Sequence, residues 1–426
     1  MALIQVVEHE KIFICDDGSM RKSITSLQAK LLKNIETKLP KRTFEWGHQS
    51  IKFNQYCGVI SLGGDSIEIL PKIYGNENEP CASRNILIKM LYAARRLKPV
   101  SGGSANIGLQ KHHLLDVFIQ HFCNELFQQL RKGVIRSYIR RTDNLHVLRG
   151  KLLIDKHLKV NASNKERMYC QYDELIDDNK YNQVIKYVLQ ILIKVTVSGK
   201  SKRKITELLY CFDEVSDKTF IADDVLNIPI DRSTSRFKIV FEYCSWFLQG
   251  LNPDVVTGEQ HSLALLFDMN KLFEEFIARK LKVIAWEKGL KLREQGPQKR
   301  FIQSSDTDNS FFVMKPDISL IDSNNKVVSI LDTKWKVLND SDNKLGVSQQ
   351  DLYQMAGYAM RYGCKKMVLI YPKVNSLDSE RPIEWKFINT DIQIFIWTID
   401  LTEVFEKKKV GNERQLSDYL NDLTAN

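Results

Sequence analysis

The chain of 426 residues contains no stretch of about 18 uncharged apolar residues, so nothing in it reads as a membrane span. Glu8 and Glu10 stand where a secretory leader would need apolar residues, and the expected location is the cytoplasm. Cysteine is sparse and dispersed, at positions 15, 57, 81, 123, 170, 211, 244 and 364, with no CxxC pair and no histidine at ligand spacing. That pattern excludes a disulfide framework and a zinc site and leaves reduced, mostly buried small hydrophobes. There is no internal repeat, no low-complexity tract and no GxxxxGK[ST] stretch, so the chain carries no phosphate-binding loop of its own.

What is present is ordinary globular composition, with 43% hydrophobic and 27% charged residues. The length predicts two or three domains, since single cores rarely exceed roughly 250–300 residues. Lysine and arginine number 62 against 52 acids, a net charge of +10. The excess is concentrated. Residues 131–168 hold eleven Lys/Arg against three acids, or +8, and residues 279–300 hold eight against two, or +6. Between them lies an acidic run, Asp173, Glu174, Asp177 and Asp178. Either block alone is read equally well as a solvated face; two together favour a nucleic acid, because phosphate neutralisation is the common use of such clusters.

Along the chain, residues 1–80 alternate short β runs with one helical stretch and predict a small α+β unit. The polar stretch YGNENEPCASR is a first linker. Residues 81–253 are mainly helical: Leu114, Phe118, Phe122, Leu126 and Leu130 step by four and predict a helix over 110–132, and YNQVIKYVLQILIKVTV predicts a buried one. VLRGKLLIDKHLKV reads as a strand-like hairpin element turning at Gly150, and SGKSKRK as a basic loop. His112 and His113 read as surface, Trp246 and Phe247 as core. Residues 254–426 change to helix, strand, strand, helix, strand, which predicts a domain with a mixed sheet. Its helices are MNKLFEEFIARKLKVIAWEKG and a second that opens at Ser348 and stops at Gly363. Its two β runs, FFVMKPDISLI and VVSILDTKW, are separated by the turn DSNNK.

Asp317 follows Pro316 in the first β run, and Asp332 and Lys334 lie at the end of the second. Alternation on a strand turns Asp332 and Lys334 to one face with Thr333 opposite, and a hairpin brings Asp317 to it. Two carboxylates and an ammonium then converge, a set suited to Mg2+, which takes one or two protein carboxylates and keeps sites for water and phosphate. Lys334 could orient water or steady developing negative charge. Glu274 or Glu275 is a possible third carboxylate, and Gln354 and Tyr358, at i and i+4, share a helix face. An exposed Asp332–Lys334 ion pair of little energetic consequence remains the bland alternative. Against it, Val327, Val328, Ile330 and Leu331 make the strand too apolar to be exposed.

The order Pro316-Asp317, Asp332-Thr333-Lys334 and Gln354-x-x-x-Tyr358 resembles PD-(D/E)xK nucleases of the RecB-like branches. With LFEEF, DLYQMAGYA, VLIYP, LRGKLLI, CQYDELIDDNKYNQVIKYVL and IEILPKI, nearly the whole chain is similar to the McrC family, the nuclease subunit of McrBC-type restriction systems. That resemblance implies an α+β, multidomain protein: an N-terminal unit, a helical partner-docking region with a β-hairpin, and a C-terminal PD-(D/E)xK domain. It implies an endonuclease of a 5-methylcytosine-type, modification-dependent system with Mg2+ on Asp317 and Asp332, Lys334 in catalysis, Glu274 as a further ligand, and Gln354 and Tyr358 in support. It also implies two partners, modified double-stranded DNA and a McrB-like hexameric AAA+ GTPase. On this reading the 131–168 block either touches DNA or, the favoured alternative, forms part of a stalk that docks into the ring, and the 279–300 block contacts DNA. The alternatives are a non-catalytic activator of an AAA+ ring and a free-standing RecB-like repair nuclease.

Overall fold

The computed structural model describes residues 3–16, 22–36, 39–62, 65–73, 80–94, 113–163, 166–250, 262–305, 309–339, 341–373, 382–401 and 412–424. Residues 74–79 of the expected YGNENEPCASR linker, His112, Pro253 and residues 110–112 of the expected helix lie outside them; the remaining PCASR is not linker but the start of a helix that opens on Pro80, where a missing amide costs nothing. The strands of the first part are β1 (Leu3–Val7), β2 (Lys11–Ile14), β3 (Ser23–Ile24), β4 (Phe44–Gly47), β5 (Ser50–Phe53), β6 (Tyr56–Leu62) and β7 (Asp65–Leu70), with helix α1 (Ser26–Glu36) between β3 and β4. They form two four-stranded sheets, of order β3-β2-β5-β4 and β1-β7-β6-β11. The last of these, β11 (Ser262–Asp268), comes from the stretch that the sequence assigns to the C-terminal domain. It runs antiparallel to β6, its alternate apolar residues sharing the core on that sheet.

The middle of the chain contains α2 (Pro80–Ala93), α3 (Leu114–Leu130), β8 (Ser137–Leu145), β9 (Lys151–Leu152), α4 (Ile154–Val160), β10 (Met168–Ile176), α5 (Lys180–Val195), α6 (Gly199–Tyr210), α7 (Ala222–Leu226) and α8 (Lys238–Gly250). Leu114, Phe118, Phe122 and Leu126 of α3 are all buried, as their spacing requires, and Phe247 is buried on α8 while Trp246 stacks edge-on against Tyr243 and Phe267. Two expectations are corrected. SGKSKRK is the first turns of α6, because the Ser198 hydroxyl accepts from the Ser201 amide as an N-cap, and Ile205 and Leu208 are buried beyond the basic residues. LLIDKHLKV is a two-residue strand and then a helix, although Gly150 does turn the chain, at φ +68, where a Cβ would lie 2.4 Å from the Gln171 carbonyl.

Helix α9 (Met269–Glu287) leads into β12 (Lys291–Glu294), β13 (Lys299–Gln303), β14 (Ser310–Met314), β15 (Ile318–Ile321), β16 (Val327–Thr333), α10 (Gln349–Tyr362), β17 (Lys366–Pro372), β18 (Ile383–Lys386), β19 (Gln393–Ile399) and α11 (Asn412–Thr424). Six strands form one mixed sheet, β12-β15-β16-β17-β19-β18, while β13 and β14 form a separate ribbon. The single β run expected over FFVMKPDISLI is thus split at Lys315–Pro316, where proline cannot donate to a ladder. In the mixed sheet β15 and β16 pair antiparallel, and β16, β17 and β19 pair in parallel. Core residues from α3, α5, α8, α9 and one face of the mixed sheet make one continuous cluster, and α10 closes the other face with Met355, Tyr358 and Ala359. Among the described residues no helix is long and apolar enough to cross a membrane.

Candidate active site at the end of strand β16

Strand β16 is buried along its length because it is central in the mixed sheet, with β15 on one side and β17 on the other. Its apolar residues account for that burial, but Asp332 near its end is only 1% exposed. A carboxylate there needs compensation, since an isolated buried charge is costly. The Lys334 backbone amide continues the ladder by donating to the Ile370 carbonyl at 2.9 Å, so alternation holds one residue past the strand and turns the lysine side chain to the same face as Asp332. Its ammonium lies 2.6 Å from Asp332 Oδ2. Asp332 Oδ2 is thus held by the lysine, while Oδ1 is buried with no partner.

The helix after the strand supplies the rest of the lysine's surroundings. Helix α10 starts from a capping box, Ser348 with Asp351, and ends on Gly363 in the left-handed conformation, both local signals of the sequence. Lys334 Nζ donates to Gln354 Oε1 at 3.1 Å, Gln354 Nε2 donates to the Tyr358 hydroxyl at 3.1 Å, and that hydroxyl donates to the Lys315 carbonyl at 3.2 Å. Asp351, which the sequence reading missed, lies 3.5 Å from Lys334 Nζ and 2.6 Å from Lys336 Nζ. The S-x-x-D spacing signals its capping role; its reach to both lysines is set by packing of α10 on the sheet.

Asp317 stands immediately before β15. Its Oδ2 accepts from the Thr333 amide at 2.9 Å and from the Thr333 hydroxyl at 3.0 Å, so Thr333 is also part of the site. Glu274, one turn and a half into α9, accepts a hydrogen bond from the Gln295 side chain, and the Gln295 amide donates to the Asp317 carbonyl at 2.8 Å. Gln295 is a second residue the sequence reading missed; no local pattern marks it.

The three carboxylates interact. Burial, and then the charge of Asp317, push Asp332 up to about 7 against the pull of Lys334. Burial and then Asp317 likewise push Glu274 up to about 7. Asp317 itself is raised by burial, opposed by the Thr333 hydrogen bonds and Lys334. Burial alone would lower the Lys334 ammonium, but Asp332 and the neighbouring acids outweigh it and its pKa rises, so it stays charged at neutral pH. Tyr358 is driven up to about 12 by burial and acts as a neutral hydrogen-bonding group.

Six of the candidate residues meet here, in two groups. Asp332, Lys334, Gln354 and Tyr358 form one connected chain, while Asp317 and Glu274 are held by Thr333 and Gln295. Among the described residues no three His, Cys, Asp or Glu side chains close around one metal position. The donor chemistry nonetheless fits Mg2+, a hard cation satisfied by one or two carboxylates and water: Asp332 Oδ1 is buried with no partner, and nearby carboxylates repel its charge.

The model of the McrBC 5-methylcytosine restriction system component matches residues 51–372 of the chain. A chain of the refined half-complex from the tetradecameric assembly of Thermococcus gammatolerans McrB AAA+ hexamers with bound McrC is similar in fold. Its TM-score is 0.77 at 20% identity, with 99% of this chain and 100% of that chain covered. A chain of the cryo-EM structure of the Thermococcus gammatolerans McrBC complex gives a TM-score of 0.55 at 22% identity, with 66% of this chain and 88% of that chain covered. No curated protein matches. With the family model extending from the N-terminal sheets through β17, the chain belongs to the family of McrBC 5-methylcytosine restriction system components.

Proposed function

We propose that this chain is the McrC-type subunit of a restriction system: a PD-(D/E)xK endonuclease that hydrolyses phosphodiesters of 5-methylcytosine-containing duplex DNA with Mg2+ and stimulates a McrB-like hexameric AAA+ GTPase. The observation that carries the reading is the buried carboxylate of Asp332 at the end of a buried strand, its Oδ2 paired with Lys334, its Oδ1 without a partner, and Asp317 and Glu274 near enough for the three charges to act on one another. A scaffold gains nothing from such an arrangement, whereas a hydrolase needs a cation there.

Asp332 and Asp317 would hold Mg2+, with Glu274 as a further carboxylate. Mg2+ bound there supplies charge that polarises the phosphoryl group. Lys334 carries its positive charge to the same face and is placed to orient water or to steady negative charge developing on the phosphate. Gln354 fixes the ammonium, and Tyr358 fixes Gln354 through its bond to the Lys315 carbonyl. The two long side chains are thereby held before substrate arrives, which lowers the reorganisation needed for reaction.

Partner docking is supported by the hairpin-like arm formed by the long antiparallel pair β8 and β10, which with β9 makes a three-stranded sheet of order β8-β10-β9. Four cations of the 131–168 block are paired across it with the acidic run: Arg136 with Asp177, Arg140 with Asp173, and Arg141 and Arg149 with Glu174. The block is therefore less available for phosphates than its +8 implies. Helix α4 at the same element has no buried residue, and Ile154, Leu158 and Val160 are more than half exposed, an apolar surface of the kind that protein partners cover. The test combines the chain with its GTPase, methylated DNA, GTP and Mg2+. Cleavage abolished by EDTA is expected. Metal-independent cleavage would overturn the site, and GTPase stimulation without cleavage would make the chain an adaptor.

A further inference from the structure

The chain reaches Asp317 and β15 directly from the β13–β14 ribbon, which stands outside the mixed sheet. In its register Arg300 opposes Val313 and Ile302 opposes Phe311. Between those pairs Phe312 adopts φ +57, a conformation that bulky side chains rarely accept, and it is 72% exposed. Ile302, Phe311 and Val313 are each about half exposed, at 49%, 48% and 53%. Neither burial nor a turn explains the placement of these side chains. Exposed strained residues of this kind persist where surrounding structure holds them for a task.

The base of the ribbon is fixed on α10, the helix that also holds Lys334. The Tyr362 hydroxyl donates to the Met314 carbonyl at 3.1 Å, Arg361 Nε donates to the Arg300 carbonyl at 2.6 Å, and the Gly357 backbone lies against Met314 and Phe301. The ribbon is thus attached at its root to the candidate site. Its described residues include Lys299, Arg300 and the adjoining Lys315 and no carboxylate; Asp306 and Asp308 of the connecting segment lie outside the described residues.

We propose that the β13–β14 ribbon is a DNA-deforming element: its cations hold phosphates beside the scissile bond, and Phe312 enters the duplex and unstacks a base step. This rests on the nuclease reading and adds to it how the duplex is seated. Two-stranded ribbons enter DNA grooves, and apolar side chains wedged into base steps from the minor groove are a recurrent means of bending DNA. Charge favours DNA over a second copy of the chain, because a two-fold contact through this surface would set Lys299, Arg300 and Lys315 against the same cations.

The test uses the full chain and a short duplex carrying 2-aminopurine, in EDTA, so that binding and unstacking are read without cleavage. Wild type should bind with a rise in 2-aminopurine fluorescence. Phe312→Asn keeps a residue suited to positive φ, so the fold should melt no earlier. It should abolish the fluorescence rise and weaken binding about five- to hundredfold, the loss of one base-stacking contact. Arg300→Gln should reduce the salt dependence of binding by about one phosphate contact. Unchanged affinity and fluorescence in Phe312→Asn would overturn the proposal, as would loss of self-association in sedimentation with DNA binding intact. Wild-type binding and unstacking, with no cleavage of 5-methylcytosine-containing DNA once the GTPase, GTP and Mg2+ are all supplied, would instead count against the nuclease reading and leave the ribbon assignment standing.

Discussion

Replacing Glu8 by glutamine should change the pH dependence of stability in a way set by one hydrogen-bonded link. Glu8 follows β1 and is 3% exposed. Its Oε1 accepts from the Lys72 amide and from Trp335 Nε1, both at 2.8 Å, which ties the N-terminal sheet to the residue beside Lys334. Trp335 also packs edge-on against Phe273, next to Glu274, with ring centroids 5.4 Å apart. The other oxygen, Oε2, is buried with no partner. Burial raises the Glu8 carboxyl from its ordinary 4.5 to about 7, outweighing the Lys72 amide, Trp335 and the Lys72 charge.

The folded state therefore binds this proton more tightly than the unfolded chain. Its stabilising effect is complete below pH 4.5 and is lost as pH rises to about 7. At about 1.4 kcal/mol per pH unit, ionising Glu8 in the fold costs about 3 kcal/mol above neutrality. Glutamine retains the Oε1 acceptor and never ionises, and any cost of its buried amide group is the same at every pH. The stability of Glu8→Gln relative to wild type should then rise by about 3 kcal/mol between acid and pH 8. Urea unfolding followed by tryptophan fluorescence across that range measures it. Parallel curves for the two proteins would refute the reasoning.

Other consequences are local. Lys334→Ala should lower cleavage about a thousandfold, within the range for losing a group that acts only on developing charge, while DNA binding measured by anisotropy persists. Gln354→Ala frees the lysine without removing it and should cost about ten- to hundredfold in turnover with the metal requirement unchanged, as read by single-turnover cleavage at varied Mg2+. Asn179→Ala should destabilise the fold by about 2 kcal/mol in thermal melts. Asn179 caps α5 through the Asn182 amide and also donates to the Ile135 carbonyl at 2.8 Å, which joins the hairpin root to the helix.

Much of the site was legible because its signals are local. Helix α10 follows from its cap, its periodicity and Gly363, and Gln354 and Tyr358 share a face because they are one turn apart. Alternation alone placed Asp332 and Lys334 together. What was not legible depends on packing between distant segments. Nothing near Gln295 marks it as the donor to Glu274, and Glu8 meets Trp335 across 327 residues. The same limit applied to the fold. Charge density made residues 198–204 read as a loop, yet burial of Ile205 and Leu208 decides for a helix, and β-like composition in LLIDKHLKV yielded to α4. Segment counting exposed two basic blocks but could not foresee that the hairpin pairs the first with the acids that follow it.

In the proposed nuclease, Asp332 is the metal-holding carboxylate. The most direct measurement of that role is cleavage of 5-methylcytosine-containing plasmid by the chain with its GTPase, GTP and Mg2+, compared between wild type and Asp332→Asn, with GTP hydrolysis recorded in the same reaction. The wild type should cut the plasmid, and the variant should leave it intact while stimulating GTP hydrolysis to the same extent. Cleavage by Asp332→Asn at the wild-type rate would contradict the account.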